Sequence, residues 1–446
     1  MRITQRHLGY PAAAVVFAIG MAGTTLPTPL YGLYREELGF SEFIVTVVYA
    51  VYAVGVITFL LLAGNYSDKA GRKPVLLIAV GLSAASALCF LFEGGLAVLF
   101  VGRLLSGFSA GLFSGAATAT VLELASPEHK ARAGLAATAA NMGGLGCGPL
   151  LAGLLAEYAT HPLRLPFLVH LVLLAIAACL TLLLPESVKR PAPAPGRDGK
   201  AGHVRRWPPL TPQGLVVPPE VHGVFGPAAL AAFAGFALLG LFSSVAPSFA
   251  AQTLHEDNLA VVGAVVFSTF LASTLGQLAM GWVGGRRALP LGSFVLVGGL
   301  ALVAASLAAE SLGLLVAGAV IGGLGQGLAF RAAVTSIGAA APPSQRAGTI
   351  SAFFVIAYIG ISVPVIGVGA LSLLLDLRTV GLIFTGCVAV LAAWVGVRTA
   401  GRGAAGTGGG AGGTDGGAGS TGGGGPGGTG SDGTGGTAGH GAGSTA

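Results

Sequence analysis

Charged residues are so few in this chain that each can be read for what it could do, and the densest group is Gly64-Asn65-Tyr66-Ser67-Asp68-Lys69-Ala70-Gly71-Arg72-Lys73-Pro74. Such a group suits ion pairing and not bond-making. Asp68 can lie against the positive end of a neighbouring helix, while Arg72 and Lys73 can hold a carboxylate or a lipid headgroup. A second charged stretch runs from Glu123 through Pro127 to Lys130, and Glu123 is expected to pair with Arg72. Gly144, Gly148, Pro149 and Gly153 combine a close-packing groove with a missing backbone donor. Five polar residues, Arg103, Asn141, His170, Gln326 and Arg331, sit inside apolar runs, where a polar group marks a substrate or proton path.

Covalent chemistry finds no support. Gly107-Phe108-Ser109-Ala110-Gly111 spells a nucleophile-elbow pattern, but it lies in mid-helix and lacks the strand-turn-helix setting that the motif requires. Gly323-Leu324-Gly325-Gln326-Gly327 has no preceding strand and reads as helix packing, not a phosphate cradle. Cys89, Cys147, Cys179 and Cys387 lack metal-ligand spacing and read as small packing residues. The chain is therefore expected to be no enzyme and to need neither metal nor cofactor.

These residues are positioned by membrane helices. Hydrophobic residues make up 53% and charged residues 9% of the sequence, against roughly 25% charged in a soluble domain. Apolar runs fall at about 12–33, 43–63, 75–92, 95–119, 134–157, 165–185, 227–250, 259–282, 289–308, 312–334, 349–373 and 379–397, each near the roughly 20 residues that cross a bilayer. They are apolar all round, as lipid-embedded helices are. The first, with Arg2 and Arg6 ahead of it, could pass for a signal peptide; its continuation through Pro27-Thr28-Pro29 favours an uncleaved span. The expectation is an all-α membrane protein of twelve transmembrane helices.

With the N-terminus inside, Arg2, Arg6, Lys69, Arg72, Lys73, Lys130, Arg132, Arg286, Arg287, Arg346 and the basic residues of 186–226 fall on the inner side. Arg35, Arg164 and Arg378 remain outside, so both termini are expected in the cytoplasm. The net charge of +6 is a topology signature and gives no reason to invoke nucleic acid. Residues 186–226, rich in proline and basic residues, read as a cytoplasmic linker between halves at 1–185 and 227–400. Residues 401–446 are nearly all Gly, Thr, Ser and Ala, and are expected to be a disordered tail. A shift of 214 residues lays Gly71-Arg72-Lys73 on Gly285-Arg286-Arg287 and Arg132-Ala133-Gly134 on Arg346-Ala347-Gly348. Two landmarks at one offset point to two homologous six-helix halves, with a binding site expected between them.

Gly64, Asp68, Gly71, Arg72 and Lys73 fill every defining position of Gly-x-x-x-Asp-x-x-Gly-Arg-Lys, which resembles the signature loop of the major facilitator superfamily, here in the family's place between spans two and three. The resemblance covers roughly residues 10–400 and implies alternating access by rocking of the halves, with this loop as a state-biasing latch. In the second half Trp282 stands where the first has Asp68, so the latch would be asymmetric. Glu123 to Lys130 resembles the family's acid, proline, basic pattern. Arg103, with Gly107, Ala110 and Ser114 on one helix face, resembles the motif whose arginine is implicated in proton coupling; the alternative is an arginine that snorkels or pairs structurally.

Gly144 to Gly153 resembles the antiporter motif of exporters in that family, with Ala152 in place of its first paired glycine. The first span carries no acid, no carboxylate is expected near the midplane, and His170 is a possible proton acceptor. A cavity with Arg103 and Arg331 and no countering acid favours neutral or anionic substrates, and Phe233, Phe236, Phe242, Phe353, Phe354 and Tyr358 suit an amphiphilic one. The expected function is proton-coupled efflux of a small amphiphilic compound by a monomer in the cell (inner) membrane. Its alternatives are an uptake symporter for a metabolite and a non-transporting sensor.

Overall fold

The computed structural model describes residues 4–63, 66–92, 94–188 and 214–405, in which helices dominate and no strand occurs. Gly64, the proline-rich stretch 189–213 and the Gly-rich segment from 406 onward lie outside the described residues. Chain up to Ala404 forms one compact unit, and a second unit begins at Ala405.

Twelve helices among the described residues are long and apolar enough to cross a membrane. Spans 1 to 6 are Gly9–Leu38, Glu42–Leu62, Arg72–Leu91, Leu96–Glu123, Pro127–Tyr158 and Leu165–Leu183. Spans 7 to 12 are Pro219–Gln252, Leu259–Val283, Gly285–Ala309, Leu312–Ala340, Arg346–Leu371 and Leu377–Gly401. Each expected apolar run has its helix. Span 7 starts earlier than the sequence suggests: Pro219 opens a helical turn that leads directly into the helix from His222, as proline does at a first helical position, where its missing N–H would have no intrahelical partner. Residues 219–226, read as linker, therefore belong to the second bundle.

Large apolar side chains such as Val172, Leu182, Val390 and Val397 project outward, as a lipid-facing surface requires. Between helices the contacts are made by small residues. Gly299 brings the backbones of spans 9 and 10 together, since a side chain there would collide with Gly322, and a side chain at Gly322 would collide with Leu238 of span 7. Without a hydrophobic force in lipid, this close approach and its dispersion contacts hold the bundle. The cysteines differ from expectation. Cys147, Cys179 and Cys387 are exposed, Cys89 is half-buried, and all four are free thiols.

Contacts within the first six spans recur six spans later: span 1 packs on spans 4 and 5 and span 7 on 10 and 11; span 2 packs on 4 and span 8 on 10; span 3 packs on 4 and span 9 on 10. The fold is two six-helix halves. Spans 5 with 8 and 2 with 11 make the extensive contacts between them. Alternation puts Arg72, Lys130, Arg286 and Arg346 at one end of the bundle, called the basic end below; the other is the far end.

Candidate functional site

At the basic end, the charged loop folds onto its own half. Arg72 begins span 3, and its guanidinium reaches Asp68 at 2.5 Å, Glu123 at 2.8 Å and the Ser67 hydroxyl at 2.5 Å. Gly71, with a φ of 100°, makes the turn that aims it, a conformation open to glycine. Glu123 thus meets Arg72 across the ends of spans 3 and 4. Asp68 spends its ion pair inside the first half, where the sequence reading placed it against a neighbouring helix end. The N-terminus of span 3 is capped by Glu186, whose carboxylate accepts from the Arg72 amide at 2.9 Å and the Lys73 amide at 3.2 Å. The Lys73 ammonium donates to the Leu182 carbonyl, and Ser187 donates to Glu123 at 2.5 Å. Lys130 is exposed at the start of span 5. Trp282, the counterpart of Asp68, is 91% exposed.

Span 5 presents two faces. Side chains at Gly144 and Gly148 would strike the carbonyls of Ala18 and Ala22 in span 1, and the Thr25 hydroxyl donates to the Leu145 carbonyl at 2.6 Å. On the other face a side chain at Gly153 would strike the Leu259 carbonyl of span 8, and one at Gly263 the Pro149 carbonyl. Proline at 149 leaves the helix unbroken from Lys130 to Tyr158. The two halves are thus in backbone contact toward the far end. Gly369 of span 11 packs on Thr46 of span 2 there. Two carboxylates of the first half fasten the same seam: Glu42 pairs with Arg35 and accepts from Ser248 of span 7, and Glu157 accepts the Leu259 amide, at the N-terminus of span 8, at 2.9 Å. A cavity of about 420 Å³ beside it is lined by Tyr31, Arg35, Glu36, Glu157, Glu256 and Asp257 among others. A second far-end cavity is lined by Glu42, His255, Glu310, Asp376 and Arg378 among others, and there the amide and hydroxyl of Thr379 hold the Asp376 carboxyl below its ordinary value.

Arg103 is 1% exposed. It donates to the carbonyls of Thr24 at 2.6 Å and Tyr49 at 3.3 Å, and lies 5.3 Å and 4.9 Å from the ring centres of Tyr49 and Tyr52. Carbonyl oxygens and aromatic faces, both electron-rich, serve this cation in place of a carboxylate. Tyr52 in turn meets Tyr358 of the second half, ring centres 6.2 Å apart. The arginine was legible in the sequence, but its tyrosine cage was not, because Tyr49 and Tyr52 lie in another span with no polar neighbour to mark them.

His170 is buried inside the first half, its Nε2 3.4 Å from the Ser83 hydroxyl and so close to Gly23 that a side chain there would collide with it. Gln326 accepts from Ser273 at 2.5 Å within the second half. Asn141 is half-buried with its Oδ1 lacking a partner. Arg331, exposed in span 10, donates to the Thr138 hydroxyl of span 5 at 3.2 Å, bridging the halves. Beside it Phe330 stands 5.4, 5.8 and 5.9 Å from Phe236, Phe353 and Phe354. His170 and Arg103 are therefore enclosed, while Arg331 faces the crevice between the halves.

Among known proteins, the class H tetracycline resistance protein of Pasteurella multocida is 31% identical over 176 residues, 39% of this chain and 42% of that protein. The match thus spans less than half of that relative. The class D tetracycline resistance protein of Salmonella ordonez is 28% identical over 307 residues, 61% of this chain and 74% of that protein. The crystal structure of the human organic anion transporter MFSD10 (TETRAN) superposes with a TM-score of 0.60 at 17% identity, covering 88% of this chain and 99% of that one, a likeness of fold. The family model described as Major Facilitator Superfamily matches residues 13–294. With more than half of its sequence matched to that model and its twelve spans paired as two halves, the chain belongs to the major facilitator superfamily.

Proposed function

We propose that the protein is a secondary transporter that expels a small amphiphilic organic compound in exchange for protons. The substrate site would alternate between the two membrane faces as the halves 1–185 and 219–400 rock. The basic end would face the cytoplasm of a cell membrane, with both termini on that side and the chain acting as a monomer. The observation that carries this reading is the asymmetry of the seam. Spans 5 and 8 are locked by backbone contact toward the far end, whereas Asp68, Arg72 and Glu123 at the basic end bond one another within one half. A transporter poised to load from the cytoplasm has this distribution. Gly148 and Pro149 on the span that forms the seam, and relatives named for tetracycline resistance, support export over uptake.

The test is accumulation of a candidate compound in cells that express the protein, with the medium buffered at acid or neutral pH. Proton-driven export lowers accumulation when the outside is acid. A rise on acidification would establish uptake instead, and binding without flux in proteoliposomes would make the chain a sensor.

A further inference from the structure

Two arginines lie within the spans' apolar stretches, and the structure gives them different circumstances. Arg103 is sealed by carbonyls and tyrosine rings within the first half. Arg331 lies nine residues from the Ala340 end of span 10, about 13 Å along the helix, and reaches across the inter-half crevice to a single neutral hydroxyl, that of Thr138. It has no carboxylate partner among the described residues. A guanidinium at this depth is costly unless water or an anion accompanies it. Its helix neighbour Phe330 belongs to an aromatic group with Phe236, Phe353 and Phe354, of which Phe354 is the half-buried member and the other three are buried.

Resting on the reading of the chain as a transporter of amphiphilic compounds, we propose that Arg331 binds the anionic group of an aromatic organic acid whose ring lies on the Phe330 side of the crevice. The guanidinium supplies paired donors to a carboxylate, sulfonate or enolate, and the Thr138 hydroxyl, now its partner, is free to turn its own proton to the same oxygens. A quaternary ammonium of the same shape meets a like charge with no acid to offset it.

The experiment uses the full chain in nanodiscs of zwitterionic lipid and a matched pair of probes, naphthalene-2-sulfonate and 2-naphthyltrimethylammonium, titrated by calorimetry. The sulfonate is expected to bind about tenfold or more tightly than the ammonium, as one charge-assisted contact implies. Arg331→Gln should erase the difference and Arg331→Lys keep part of it, with the size-exclusion profile of each variant checking the fold. Equal binding of the two probes, no binding of either, or a preference that survives in Arg331→Gln would overturn the proposal. Adding phosphatidylglycerol to the nanodiscs should leave sulfonate affinity unchanged; loss of it would assign the guanidinium to a lipid headgroup and overturn the organic acid. The export reading is separable, because a sulfonate that binds without being moved along a pH gradient defeats export and leaves the site standing. Failure of the sulfonate alongside persistent efflux of another compound does the reverse.

Discussion

Arg72 illustrates how much one side chain can be asked to hold. Its guanidinium serves Asp68, Glu123 and Ser67 while its amide is taken by Glu186, so the ends of spans 3, 4 and 6 and the loop before span 3 converge on one residue. Removing Arg72 strips the exposed Glu123 carboxylate of its ion pair, and removing Glu123 leaves the buried Arg72 with Asp68 and Ser67 alone, at a cost of about 1 kcal/mol in either case. Glu123→Arg and Arg72→Glu should each lose transport in a pH-gradient flux assay, and the two together should recover it. No recovery would mean that the pair is incidental. The pairing could be read from sequence because both residues sit at helix ends on one side of the membrane. Glu186 could not, since nothing local distinguishes a carboxylate after the last turn of span 6 from any other loop acid. Arg103 makes a second case. A lysine keeps the charge but cannot reach two carbonyls and lie along two rings at once, so Arg103→Lys should cost about 2 kcal/mol of stability, read as a lower unfolding temperature of the purified protein. An unchanged transition would show that the tyrosine cage contributes little.

Span 5 was recognisable from its spacing of glycines, yet the spacing alone cannot say which helix each glycine admits. The structure divides them: Gly144 and Gly148 against span 1 in the same half, Gly153 against span 8 in the other. The division predicts two kinds of damage from one kind of substitution. Gly148→Val drives a branched side chain into the Ala22 carbonyl within a half that does not come apart, and overpacking of this sort costs about 1–3 kcal/mol or more. Loss of folded protein on size exclusion is the expected result. Gly153→Val meets the Leu259 carbonyl at a contact that the proposed cycle breaks, so the fold should survive while the far-closed state does not. Crosslinking between cysteines at Thr46 and Gly369, in a background without the four native cysteines, should fall several-fold in Gly153→Val; an equal yield would show that the seam tolerates the bulk. Similar reasoning explains why span 7 begins before its apolar run: Pro218 and Pro219 have the composition of a linker, but the second proline has the geometry of a first helical residue.

For the molecule as a whole, span number and the two halves were legible because bilayer thickness fixes helix length and the repeat left matching landmarks. The arrangement of the halves was not, because it lies in contacts between them that no local pattern encodes. Those contacts at the far end depend on two acids of the first half, Glu42 on Ser248 and Glu157 on the Leu259 amide. Both carboxylates act as charged acceptors, and an amide in place of each keeps the shape while removing the charge that makes such acceptors strong. Around Glu42 stand Arg35, His255, Glu310, Asp376 and Arg378, and around Glu157 stand Arg35, Glu36, Glu256 and Asp257. Neutralising the two acids also relieves repulsion among these carboxylates, which favours closure, but the two fastenings are direct contacts and should prevail. Spin labels at Thr160 and Gln252, exposed positions on opposite halves, report the separation by pulsed electron resonance. Glu42→Gln with Glu157→Gln should shift the distance distribution longer than in the parent at one and the same pH; a double variant that stays as short as the parent would remove these two acids from the far-end seam.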